Sequence, residues 1–117
     1  MKRCLLLALL GVSALTPSAF GANEWKTFRG EFVIRQAPLS DPLPSSPPVA
    51  FFKIEGPAAR AMFDGMRNAK TEKNACAEIG LTMKIADGLV CFKQKNQYSC
   101  NFGVGLSDGK TQLGFTC

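Results

Sequence analysis

No histidine occurs anywhere in the 117 residues. That absence removes the Ser–His and Cys–His pairs of nucleophilic catalysis and leaves any metal site without an imidazole ligand. No two of the five cysteines are spaced C-x-x-C. A cysteine-based zinc site therefore has no anchor, and a catalytic thiol would have no partner base. There is no phosphate-cradling loop, no dinucleotide fingerprint and no internal repeat. The expectation is no catalytic residue, no metal ligand and no cofactor. A carboxylate pair of the kind that cleaves glycosides is the one catalytic arrangement left. The available acids are Asp64, Glu72, Glu78, Asp87 and Asp108. Asp87 and Asp108 suit turns, Asp64 an exposed helix face, and Glu72 and Glu78 polar loops, so an enzyme is not expected.

The chain opens with Lys2 and Arg3, continues through the apolar stretch Leu5–Leu15, and offers Ala19-Phe20-Gly21 as a small-residue cleavage site. This tripartite order predicts a cleaved signal peptide over residues 1–21. The apolar stretch is too short for a membrane span, which needs about 18 residues or more. Cys4 precedes that stretch and leaves with it. So do two of the positive charges behind the formal +5. What remains, residues 22–117, is one small domain able to bury about 60–65% of its unfolded surface. Four cysteines in an exported chain with so thin a core read as two disulfides. The remaining basic residues, among them Arg29, Arg35, Lys53, Arg67, Lys84, Lys93, Lys95 and Lys110, are scattered rather than clustered. Nucleic acid is therefore not an expected partner.

The stretch from Ile79 to Cys117 predicts a four-strand antiparallel meander. Asp108-Gly109 is a two-residue hairpin signal. Centring a turn there sets Leu106 opposite Thr111, Val104 opposite Leu113, Phe102 opposite Phe115 and Cys100 opposite Cys117, all on one apolar face. Asn101, Gly103, Gly105, Gln112, Gly114 and Thr116 fall on the other. A turn at Lys95-Asn96 adds Cys91 opposite Cys100. For the preceding connection, a three-residue loop Ala86-Asp87-Gly88 places Leu81, Met83 and Ile85 on the face of Leu89 and Cys91. A two-residue turn would send Ile85 to the reverse face. Keeping the apolar residues together favours the longer loop.

Upstream, Phe28, Phe32 and Ile34 alternate with Thr27, Arg29, Glu31 and Arg35, the pattern of a half-buried strand with a bend at Gly30. Residues 38–48 hold five prolines and form an extended connector. Ala50, Phe52 and Ile54 mark a second strand. Gly56-Pro57 ends it and starts a helix, whose stripe is Ala59, Met62, Phe63 and Met66. Lys70 to Asn74 reads as a polar exit. The predicted class is α+β: an antiparallel sheet, made of the four-strand C-terminal meander plus one or two N-terminal strands, with one helix packed on one face.

Gly56-Pro57-Ala58-Ala59, Gly88-Leu89-Val90-Cys91 and Tyr98-Ser99-Cys100 together resemble a pattern in small exported proteins of Gram-negative bacteria. There a G-x-A-A helix start precedes a G-L-x-C strand and a Y-x-C strand. The resemblance covers about half of residues 22–117 and its motifs are structural. It implies an exported location and a Cys91–Cys100 hairpin disulfide, and it carries no chemistry. Cys76 and Cys117 lie outside it. In the meander, Cys91 and Cys117 sit two strands apart, about 9–10 Å, beyond a bridge. Two pairings remain: Cys91–Cys100 with Cys76–Cys117, or Cys76–Cys91 with Cys100–Cys117. Loop entropy does not separate them, at about 2.7 plus 3.9 kcal/mol against about 3.1 plus 3.2. The resemblance selects the first.

The functional expectation is a small non-enzymatic envelope protein, periplasmic or secreted, with no transmembrane segment once the signal is removed. It would bind an envelope protein or a glycan through an open sheet face. Phe92 is the expected apolar anchor, with Asn101 and Gln112 as hydrogen-bonding neighbours. The alternatives are a structural envelope protein without a discrete site and a carboxylate-dependent hydrolase.

Overall fold

A computed structural model describes residues 24–38, 41–115 and 117. The expected signal peptide, part of the proline connector and Thr116 lie outside the described residues. The fold is α+β: an open antiparallel sheet with a single helix packed against it. Strands β1 (Arg29–Gln36) and β2 (Pro48–Glu55) are followed by helix α1 (Pro57–Gly65). Then come β3 (Lys70–Lys73), a 3-10 turn at Ala75–Ala77, β4 (Leu81–Ala86), β5 (Leu89–Gln94), β6 (Gln97–Gly105) and β7 (Thr111–Gln112). The spatial order is β1-β2-β6-β5-β4-β3, with β7 also paired to β6. Antiparallel pairing throughout makes β2 and β3 run the same way. The connection between them must therefore cross the sheet, and α1 makes that crossing.

The helix follows the expected pattern. Pro57 stands at its start, where no N–H is needed. Ala59 and Phe63 are buried against Ile54, Cys91 and Cys100, with Met62, Met66, Leu89, Tyr98 and Phe102 around them. Lys84 donates from Nζ to the Phe63 carbonyl at 3.0 Å, satisfying one of the last-turn acceptors. Arg60 and Asp64 meet at 3.9 Å on the outer side.

The hairpin of β5 and β6 has the predicted register, with Cys91 opposite Cys100. Both disulfides are present: Cys91–Cys100 with Cα atoms 4.0 Å apart, and Cys76–Cys117 with Cα atoms 5.4 Å apart.

Three register expectations are corrected. First, β4 pairs with β5 through the two-residue turn at Asp87-Gly88, with Met83 opposite Phe92 and Ile85 opposite Val90. Leu81, Met83 and Ile85 thus lie on the face away from the helix, where they join a second core of Ala75, Met83, Val90 and Phe92. The premise of one buried face fails, because the sheet is covered on both. Second, β7 is shifted by two residues, with Val104 opposite Thr111 and Gly103 opposite Gln112. Residues 106–109 form a wider turn. The Gly109 N–H donates to the Gly105 carbonyl at 2.8 Å, and the Lys110 N–H donates to Asp108 Oδ1 at 2.9 Å. The pairing then stops, Leu113 and Leu106 are exposed, and Phe115 packs on Phe92 instead of facing Phe102. Third, Lys70–Lys73 is a strand, β3, paired to β4, and not a polar exit.

Close approach explains two glycines. A Cβ on Gly88 would stand 2.7 Å from the Gln112 carbonyl oxygen, and one on Gly114 would stand 2.6 Å from the Phe102 nitrogen. The tail lies directly on the backbone of the turn and of β6.

The first strand also departs from expectation. It is not half-buried: six of its eight residues are exposed and the last two are partly so. It forms one edge of the sheet, and among the described residues nothing lies over it.

Candidate functional site

Phe92, Asn101 and Gln112 lie on the face predicted for them. Phe92 is opposite Ser99, Asn101 opposite Val90, and Gln112 opposite Gly103. Phe92, however, is only 6% exposed. The Phe115 ring meets it edge-on, with centroids 4.4 Å apart, and the Cys76–Cys117 bond holds that tail in place. The expectation of an exposed aromatic anchor is therefore corrected. The reverse face is open to close approach because the chain itself approaches there. Asn101 and Gln112 are partly buried at the margin of this cover.

The carboxylates do not converge. Asp64 faces Arg60, Glu72 meets Lys70 at 3.2 Å, Glu78 accepts from Gln94 Nε2 at 3.0 Å, and Asp108 closes its own turn.

A concavity of about 600 Å³ lies at the end of the sheet where β2 hands over to α1 and β5 turns into β6. Arg29, Lys53, Glu55, Arg60, Tyr98 and Ser99 contribute to its walls. Its charges answer one another. Glu55 receives Lys53 at 3.0 Å and Arg29 at 3.8 Å, while Arg60 stands over the Tyr98 ring at 5.7 Å. Polar contacts are available here, and Glu55, directly opposite Ser99 on β6, is engaged by the two basic side chains.

The most distinctive surface is the β1 side of the sheet. On the helix-bearing face, Phe102 at the margin of the α1 core begins a row with Phe52 and Phe32 that runs across three strands to the sheet edge. Ring centroids are 5.1 Å apart for the first pair and 6.3 Å for the second. Phe32 is 70% exposed, and Phe28, Val33 and Ile34 are exposed beside it. The row stands at an edge whose backbone groups on the outer side have no strand to pair with among the described residues. An apolar patch joined to an open edge can take an extended polypeptide. The edge supplies main-chain hydrogen bonds and the patch receives alternate side chains. The alternation of Phe28, Phe32 and Ile34 was visible in the sequence. What the sequence did not carry is that α1 stops short of covering them.

No protein-family model matches the chain, and no curated protein or solved structure matches it.

Proposed function

We propose that this is a non-enzymatic binding protein that takes up another polypeptide along β1. One observation carries the reading: an eight-residue edge strand with Phe32, Val33 and Ile34 exposed at its centre stands bare among the described residues, in a small domain that elsewhere covers both faces of its sheet. Most natural edges are blunted by charge, proline, brevity or a covering element; β1 carries charge at Arg29, Glu31 and Arg35, yet it is long and, among the described residues, uncovered. The dispersed carboxylates support a binding role over a hydrolytic one. The buried position of Phe92 moves the proposed site off the face first expected and away from a glycan platform there.

Two disulfides point to an oxidising, extracellular or periplasmic environment. The finer proposal is export with cleavage after Gly21 and work in the cell envelope, in line with the resemblance to small exported Gram-negative proteins. N-terminal sequencing of the exported protein should begin at Ala22.

The binding reading is tested by placing a photo-crosslinking side chain at position 32 or, as control, at position 72 on β3. Position 32 should give discrete adducts in cells and position 72 none. Equal labelling, or none at position 32, would remove the site from β1.

A further inference from the structure

We infer that the strand received by β1 is the β1 of a second copy, running antiparallel about a two-fold axis at Val33. This rests on the reading of β1 as the binding edge and names its occupant. The argument is charge complementarity along the strand. Glu31, Val33 and Arg35 share one face; Phe32 and Ile34 share the other. Among the described residues, neither Glu31 nor Arg35 makes an ion pair. Lys53, directly across from Glu31 on β2, turns to Glu55 instead. Glu31 and Arg35 are about 13 Å apart along their own strand, too far to meet.

A two-fold axis perpendicular to the sheet keeps each face with its like, so only registers centred on a residue are allowed. Centring on Glu31 sets Glu31 against its own copy. Centring on Phe32 sets Arg29 against the copy's Arg35. Both place like charges directly opposite, which is destabilising. Centring on Ile34 sets Arg35 against the copy's Val33 and shortens the pairing. Centring on Val33 sets each Glu31 opposite the other copy's Arg35 and each Phe32 opposite the other's Ile34. Val33 meets Val33 at the axis. Gly30 to Gln36 is then fully paired, and Pro38, which has no N–H to donate, lies just beyond the stretch. The interface is isologous: one strand supplies both halves of every complementary pair. The two Phe32–Ile34 contacts extend the aromatic rows of the copies into one band.

The opposite edge lacks these properties. β3 has four residues, Lys70, Thr71, Glu72 and Lys73, a short and charged edge of the kind that resists pairing.

The test is sedimentation equilibrium of the oxidised protein with a charge exchange. Wild type should be dimeric, with a dissociation constant that rises with salt. Glu31→Arg alone and Arg35→Glu alone should each weaken the dimer by about tenfold or more, because each creates like-charge pairs at both ends of the strand. Mixing the two variants should restore dimers. The first variant is positive at both positions 31 and 35 and the second is negative at both, so each cross-strand pair in the mixed dimer again joins opposite charges. A monomeric wild type, a dimer indifferent to both substitutions, or a mixture that stays monomeric would overturn the proposal. The crosslink at position 32 separates this failure from that of the parent reading. An adduct at the mass of two chains supports self-pairing. An adduct to a different polypeptide refutes self-pairing and leaves β1 as a binding edge, and no adduct refutes both.

Discussion

Strands β1 and β5 each carry a run of consecutive apolar residues, and the two runs have opposite fates. β5 contributes Leu89, Val90, Cys91 and Phe92, with three of its six residues buried. β1 contributes Phe32, Val33 and Ile34, and none is buried. Position and cover make the difference. β5 is flanked by β4 and β6, lies under α1 on one face and under the disulfide-clipped tail on the other. Among the described residues, β1 has a neighbouring strand on one side only. Alternating apolar residues fit a strand for burial; whether burial follows depends on what the rest of the chain brings over it.

If the clip is what covers β5, breaking it should do the most harm. Replacing Cys76 and Cys117 together by serine removes a bridge between residues 41 apart in sequence. Loop closure alone gives a loss of about 4 kcal/mol, and release of Phe115 from Phe92 adds to it. Urea unfolding of the oxidised double variant measures the change. A loss below about 1 kcal/mol would mean that the tail holds its place unaided.

The next test strikes the covered strand itself. Phe92→Ala should cost about 3 kcal/mol, the lower end for a buried phenylalanine because the neighbouring tail can partly close the gap. The same denaturation experiment reads it. A nearly silent substitution would place Phe92 outside the core and return it to candidacy as a surface anchor.

A smaller effect is expected where tail and sheet touch. Gly88→Ala pushes a methyl group into the backbone of Gln112 and should cost about 1–2 kcal/mol through local displacement. Asp87, at φ 50°, carries the unusual backbone conformation of that turn, so the cost at Gly88 is one of space. Hydrogen exchange should quicken at Thr111 and Gln112 and stay unchanged in β1.

These contrasts also mark how far the sequence could be read. The β5–β6 hairpin was legible because a two-residue turn fixes parity and places Cys91 against Cys100. The helix was legible from Pro57 and the Ala59–Met66 stripe. The β4 register was not, because the rule that gathers apolar residues on one face has no force when both faces are covered. Met83 fits either side of such a sheet. The shift in β7 follows from the Asp108 side chain and the Gly105 carbonyl, which stabilise a wider turn that Asp-Gly alone does not announce. β3 was missed because Lys70, Thr71, Glu72 and Lys73 carry no apolar alternation. At the proposed site the residues were visible and their exposure was not, since exposure depends on the path of α1 and of the tail.

The smallest effect on the isolated chain is expected at Phe32, and it decides between two readings of the bare strand. With the ring 70% exposed, Phe32→Ala should change the stability of the monomer by no more than about 0.5 kcal/mol. If β1 pairs with a second copy, the native state is favoured by association, and the wild-type melting temperature must rise with protein concentration. Phe32→Ala removes both Phe32–Ile34 contacts of the symmetric interface, so its melting temperature should depend much less on concentration. The two proteins should then melt together when dilute and apart when concentrated. A constant gap at every concentration would mean that Phe32 supports the fold of a single chain. No gap at any concentration would mean that the aromatic row takes no part in self-association.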